Sequence, residues 1–311
     1  MSRGAYAVTY IAAFLILLAP VLYPYLNVSA QLESGERVAL ATTTIIWDFA
    51  RNVAGPGWRV EYLVEPGKDP HTLEPTPRDL QKAADAELIL YNGFGVDSWI
   101  LRLVAASSKA KIVRVTEGLE GHALIVPDGP YAGKTDPHMW MDASLAVKYV
   151  ERIRDAFIEL DPSGAAGYKE RAERYIERLM ALDAWIREEV SKIEPSRRLL
   201  FTQENALQYF ARAYGFRVVG YFYSMVTELE PSPLDVARAQ RRVEGTGLCV
   251  FFIESTLSPR VMEAFASRLN GRIAGRLYTD SLGPAELGLD SYIGIMKYNV
   301  ETIVRELSRW C

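Results

Sequence analysis

The chain has 311 residues, 49% of them hydrophobic, enough to bury a substantial core and to favour two domains over one. Its formal charge of −4 is spread along the chain with no basic stripe, which argues against nucleic acid as the partner. Of the two cysteines, Cys249 sits in a strand-like apolar run and Cys311 is the last residue, so any metal chemistry must use nitrogen and oxygen donors. A disulfide would require the chain end to reach a buried strand.

No charged residue occurs between Arg3 and Glu33, and residues 5–26 are apolar enough to cross a bilayer or serve as a secretion signal. Residues 1–30 are therefore expected to be a signal peptide or an N-terminal membrane anchor, with the remainder extracytoplasmic. Val28, Ser29 and Ala30 offer a cleavage site, and no cysteine stands near this segment to carry a lipid.

After a polar linker, residues 38–42 predict a strand and 43–54 a helix stopped by the glycines at 55–57. Strand 58–64 leads into a proline-rich loop at 66–77, followed by helix 78–86, strand 88–91, helix 101–108 and strand 111–115. Residues 118–133 read as a loop, with His122 on the surface. Helix 144–160 ends at Asp161 and Pro162. The run 165–193 is apolar at Tyr168, Ala172, Tyr175, Ile176, Leu179, Leu182, Trp185, Ile186, Val190 and Ile193, a single stripe along a helix of several turns. Beyond Pro195 the alternation restarts with strands at 199–202, 216–221, 248–254 and 274–278 and helices at 206–213, 233–244, 259–269 and 292–308.

Strands separated by helices in this way predict an α/β fold of parallel strands with functional loops at the strand C-termini. Two lobes follow, 36–163 and 196–311, with 164–195 as a long rigid helix between them. The lobes echo each other: Thr42 with Phe49, Ala50 and Arg51 resembles Thr202 with Phe210, Ala211 and Arg212, each run ending at a glycine.

The chain has three histidines, and two of them, His71 and His138, follow an Asp-Pro pair. Proline fixes its own φ and holds the preceding residue extended, so each imidazole sits on a stiff loop, as a preorganised ligand would. Two imidazoles alone hold a divalent cation weakly, so the second lobe must contribute. By the strand-end rule the candidates are Gln203, Glu204 and Asn205 in one loop and Thr279, Asp280 and Ser281 in another, of which Glu204 and Asp280 are ionised. Simpler roles compete: Glu204 could open a helix and complement its dipole, and Asp280 could be a turn residue. Asp69, Asp136 and Glu254 are candidates to orient the imidazoles, with turn or cap roles the simpler and favoured reading of each; Asp142 reads as a helix N-cap, and Trp140 and Met139 as core, with exclusion of water from the site the alternative.

The stretch Asp69-Pro70-His71-Thr72-Leu73-Glu74-Pro75-Thr76-Pro77, the strand and helix at 41–53, the repeat Asp136-Pro137-His138-Met139-Trp140-Met141-Asp142 and the run Tyr278-Thr279-Asp280-Ser281-Leu282 resemble the metal-binding cluster A-I (cluster 9) substrate-binding proteins of ABC transporters. That resemblance implies two Rossmann-like lobes joined by one long backbone helix, a metal site at the lobe interface, and His71, His138, Glu204 and Asp280 as its ligands. It also implies a monomeric extracytoplasmic protein that captures a divalent transition metal and delivers it to an ABC permease subunit, without being an enzyme. Two imidazoles and two carboxylates form a comparatively hard donor set that favours Mn²⁺ or Fe²⁺ over Zn²⁺, although Zn²⁺ usually outbinds Mn²⁺ at equal donors. The alternatives are a secreted metalloenzyme with a two-histidine, one-carboxylate site, and a corrinoid-type organic-cofactor binder of similar architecture. Turnover would mark the first, whereas the paired Asp-Pro-His loops speak against the second. Because imidazoles must be deprotonated to bind a metal, binding is expected to weaken as pH falls through about 6 to 7.

Overall fold

A computed structural model describes residues 36–105, 109–225 and 231–309. The expected signal or anchor at 1–30 lies outside the described residues. Among the described residues no helix is long and apolar enough to cross a membrane.

The first half is a four-stranded sheet of order β2-β1-β3-β4, built from β1 (Arg37–Ala41), β2 (Trp58–Tyr62), β3 (Leu88–Tyr91) and β4 (Lys111–Arg114). β3 runs parallel to both β1 and β4. Helices α1 (Thr44–Ala54), α2 (Pro77–Asp85) and α3 (Trp99–Ala105) connect these strands. α1 starts where the Thr43 hydroxyl accepts the Ile46 N–H and stops at Gly55, whose φ of 73° is open to glycine at little cost. α4 (Ala143–Leu160), capped by Asp142 as expected, closes the half.

In the second half, β5 (Leu199–Glu204) pairs in parallel with β6 (Arg217–Tyr223), and β7 (Val250–Glu254) with β8 (Arg272–Leu277). They form two separate two-stranded ladders rather than one continuous sheet. Helices α6 (Gln208–Tyr214), α7 (Pro233–Val243), α8 (Arg260–Arg268) and α9 (Tyr292–Ser308) alternate with them. The internal echo has a structural counterpart, since α1 and α6 each bury their matching phenylalanine, Phe49 and Phe210, and end at a positive-φ glycine. Cys249, just before β7, is disulfide-bonded, and the other cysteine of the chain, Cys311, lies outside the described residues.

Between the halves runs α5 (Ala165–Ser191), 27 residues long and so roughly 40 Å at 1.5 Å per residue. Its buried stripe, Tyr168, Ala172, Tyr175, Leu179, Leu182, Ile186 and Val190, is most of the predicted one; Ile176 and Trp185 are only partly buried, and Ile193 is buried just beyond the helix end. Near its start the Arg171 guanidinium donates to the Val53 and Ala54 carbonyls of α1, and near its end Arg187 donates to the Ala213 carbonyl of α6. One helix is thus fastened to both halves.

Phe49 is the apolar joint of this arrangement. Fully buried, it packs edge-on against Tyr149 of α4 and Tyr292 of α9, at ring-centroid distances of 5.9 and 4.9 Å, and tilted against Tyr175 of α5 at 6.3 Å. Beside it the Asp48 carboxylate accepts the Tyr175 hydroxyl at 2.8 Å and the Tyr292 N–H at 2.9 Å. Phe49→Ala is expected to cost about 3 to 5 kcal/mol, because four helices pack around the vacated volume and cannot all close on it. Chemical denaturation measures this, and a loss below about 1 kcal/mol would show that the joint carries little of the stability.

Candidate metal centre

His71 sits in a single 3₁₀ turn (Pro70–Thr72) after β2. Asp69 is extended, as a residue before proline must be, and its carboxylate accepts the His71 backbone N–H at 2.8 Å. His138 caps a second 3₁₀ turn (Met139–Met141). There the Asp136 carboxylate accepts both the His138 N–H at 2.9 Å and its ring Nδ1–H at 2.7 Å, which leaves Nε2 as the free nitrogen. Asp136 is itself held by Gln208 of α6 at 3.0 Å. The two Asp-Pro-His loops therefore differ. Asp136 orients its imidazole, whereas Asp69 acts on the main chain and His71 Nδ1 is buried without a hydrogen-bond partner.

Glu204 does not open a helix. It is the last residue of β5, in register with Tyr223, and α6 begins only at Gln208. Its N–H is taken by the Glu254 carboxylate rather than by a helical turn. Asp280 lies in the loop between β8 and α9, just beyond the strand end.

All four predicted side chains converge. His71 Nε2 lies 3.3 Å from His138 Nε2 and 3.2 Å from Glu204 Oε1. His138 Nε2 lies 3.4 Å from Glu204 Oε1 and 3.3 Å from Asp280 Oδ1. Four donors at bond lengths of about 2.1 Å around one ion would stand roughly 3.4 Å apart along the edges of a tetrahedron, so the observed spacings suit a shared cation. Each of the four side chains is at most 1% exposed. Both oxygens of Glu204 and Oδ1 of Asp280 nevertheless lack an aligned hydrogen-bond donor. Buried acceptors left without a donor are costly, and here they point at one another. A cation satisfies all of them at once.

Electrostatics support the same arrangement. Burial, aided by the neighbouring His138, lowers His71 to about 3, so its lone pair is free at neutral pH. Burial pulls His138 down as well, but the charge and hydrogen bond of Asp136 outweigh it and hold this imidazole well above its ordinary value. Burial and repulsion from Asp280 push Glu204 well up. Burial would raise Asp280 too, yet the adjacent His138 leaves it below the usual carboxylate range. Glu254, behind them, is raised to about 8 by burial and by Asp280.

The seam between the halves is closely tied. Trp140, buried and edge-on to the His138 ring at 5.2 Å, donates its indole N–H to the Thr279 carbonyl at 2.7 Å, and the Tyr292 hydroxyl donates to the Trp140 carbonyl at 2.6 Å. The Ser281 hydroxyl accepts the Gly67 N–H at 2.7 Å, and the Thr44 hydroxyl accepts the Leu282 N–H at 3.0 Å. Read as core from sequence, Trp140 also bridges the two halves; its position beside His138 is the only signal that could have suggested this. His122 is exposed, as expected, and takes no part.

A chain folded this way falls in the class of two-lobed α/β binding proteins whose halves are spanned by a single long helix. Residues 40–306 match the profile of the family described as ZnuA, zinc-uptake complex component A, periplasmic, and the chain belongs to that family. It is 36% identical over 278 residues to the manganese-binding lipoprotein MntA of Halalkalibacterium halodurans, covering 89% of this chain and 91% of that one. With the iron-binding protein YfeA of Yersinia pestis it shares 35% identity over 274 residues, 88% and 87% of the two chains. Among solved structures, the periplasmic zinc-binding protein TroA of Treponema pallidum superposes with a TM-score of 0.80 at 28% identity, over 88% of this chain and 99% of that one. A manganese-bound periplasmic metal-binding protein from Candidatus Liberibacter asiaticus gives 0.77 at 29% identity, over 87% and 99%.

Proposed function

We propose that this protein is the extracytoplasmic solute-binding component of a metal-ion ABC importer, taking a divalent transition metal between its lobes and passing it to the permease subunit. The observation that carries the reading is the convergence of His71, His138, Glu204 and Asp280, from four separate segments of the chain, into one buried cluster with orphaned acceptors. The relatives named for manganese, iron and zinc support the cargo class.

In this reading residues 36–163 and 196–311 are the two lobes, 164–195 is the spacer, 1–30 directs export or anchors the protein, and the chain acts as a monomer and a carrier rather than an enzyme. Glu204 has both oxygens free of hydrogen bonds, whereas Asp280 Oδ2 is engaged by the Thr279 hydroxyl at 3.0 Å. Glu204 can thus supply one or two contacts, and a site able to exceed four donors suits Mn²⁺ or Fe²⁺. Since the donors are buried and the lobes are tied by α5, a small displacement of Glu204 or Asp280 suffices for release.

Titrating the full chain with Mn²⁺, Fe²⁺ and Zn²⁺ tests the reading. One ion per chain is expected, and Glu204→Gln with Asp280→Asn should abolish uptake, with no turnover of hydrolysable substrates. Unchanged binding in that double variant would remove the site from consideration.

A further inference from the structure

Glu254 ends β7 and is 1% exposed, with a carboxylate oxygen within 4.8 Å of oxygens of Glu204 and Asp280. Its hydrogen bonds go to the framework of the site. Oε1 accepts the backbone N–H of Gln203 at 2.8 Å and of Glu204 at 2.9 Å. Oε2 shares the Thr279 hydroxyl proton, at 3.2 Å, with Asp280 Oδ2 at 3.0 Å, and the Glu254 N–H donates to Gln203 Oε1 at 2.8 Å. β5 and β7 belong to different ladders, so at their C-terminal ends these side-chain bonds stand where a backbone ladder would. They tie the strand end that carries Glu204 to the loop that carries Asp280.

We propose that Glu254 is a positioning residue that fixes the separation of the two carboxylate donors and thereby selects the cargo ion. The proposal rests on the reading that Glu204 and Asp280 hold that ion. Zn²⁺ is satisfied by four donors drawn close in a tetrahedron, whereas Mn²⁺ prefers more oxygen contacts and has the lower intrinsic affinity. Discrimination in favour of Mn²⁺ therefore needs a frame that does not shrink around the smaller demand. When Glu254 is removed, the end of β5 and the residue 279–280 loop move independently. The site then collapses onto Zn²⁺ with little loss and holds Mn²⁺ poorly.

The test is the ratio of Mn²⁺ to Zn²⁺ dissociation constants, measured by calorimetry and competition on the full chain. Glu254→Ala is expected to weaken Mn²⁺ binding by about 10- to 100-fold, the range typical of residues that orient ligands, and to weaken Zn²⁺ binding far less. Glu254→Gln, whose amide oxygen still accepts both backbone N–H groups, should restore most of the selectivity. Thr279→Val removes the hydroxyl that links Glu254 Oε2 to the loop and also touches Asp280 Oδ2, so it should shift the ratio in the same direction; if Glu254→Ala does not fold by circular dichroism, an unchanged ratio in Thr279→Val decides against the proposal. An unchanged ratio in folded Glu254→Ala, or in Thr279→Val in its place, overturns the proposal, as does equal weakening of both metals. His138→Ala separates the two levels of argument. Wild-type binding there would overturn the site itself, whereas lost binding there beside an unmoved ratio in Glu254→Ala overturns only the positioning role.

Discussion

Saturation with Mn²⁺ or Zn²⁺ is expected to raise the unfolding midpoint by about 5 to 10 °C, and His138→Ala to abolish the rise. An ion at 100 times its dissociation constant stabilises the folded state by about 2.7 kcal/mol, and a chain of this size shifts by a few degrees per kcal/mol. The metal-free protein keeps Glu204 and Asp280 buried beside each other with three of their four carboxylate oxygens outside any aligned hydrogen bond, a cost that the ion relieves. His138→Ala acts twice. It deletes the nitrogen within 3.4 Å of both carboxylates, and it strips Asp136 of its ring partner. Asp136 retains Gln208 and a backbone N–H, so the metal-free variant should lose about 3 kcal/mol, the lower end for breaking a buried pair. A scanning calorimetry trace with an undiminished metal-induced shift in this variant would contradict the assignment.

The second large effect is on pH. Metal must displace a proton wherever a ligand in the empty site holds one. His71, lowered to about 3, holds none near neutrality and drops out. His138, held above its ordinary value by Asp136, and Glu204, raised by burial and by repulsion from Asp280, both hold a proton more firmly than the free groups would. Affinity should therefore rise with pH and fall on acidification, with protons released as the ion binds. The decline begins above the window of pH 6 to 7 inferred from an ordinary histidine, because the imidazole that competes for protons is the one paired with a carboxylate. Calorimetry in buffers of different ionisation enthalpy counts the protons directly. A dissociation constant independent of pH between about 6 and 8 would be incompatible with His138 as a ligand.

Element types were legible in the pattern of apolar residues. The stripe from Tyr168 to Val190 specified α5 nearly to its ends, because burial at spacings of three and four has no other regular solution. The Asp-Pro-His loops were legible because proline restricts the backbone locally, and the extended Asp69 reflects it. Boundaries were less so. Whether Glu204 ended a strand or opened a helix turned on its pairing with Tyr223 and on Glu254, 50 residues away.

What the sequence determined by itself was therefore the inventory: alternating strands and helices, one long spacer, two stiffened imidazoles and two carboxylates at strand ends. The tertiary structure alone decided that His71, His138 and Glu204 stand 3.2 to 3.4 Å from one another and that Asp280 stands 3.3 Å from His138. It alone gave unequal proton affinities to two histidines in near-identical local contexts, and it left the gap between β5 and β7 for Glu254 to bridge. The physical reason is range. Dihedral preference and hydrophobic period act over a few residues, whereas donor spacing, desolvation and charge pairing depend on how two halves of the chain dock.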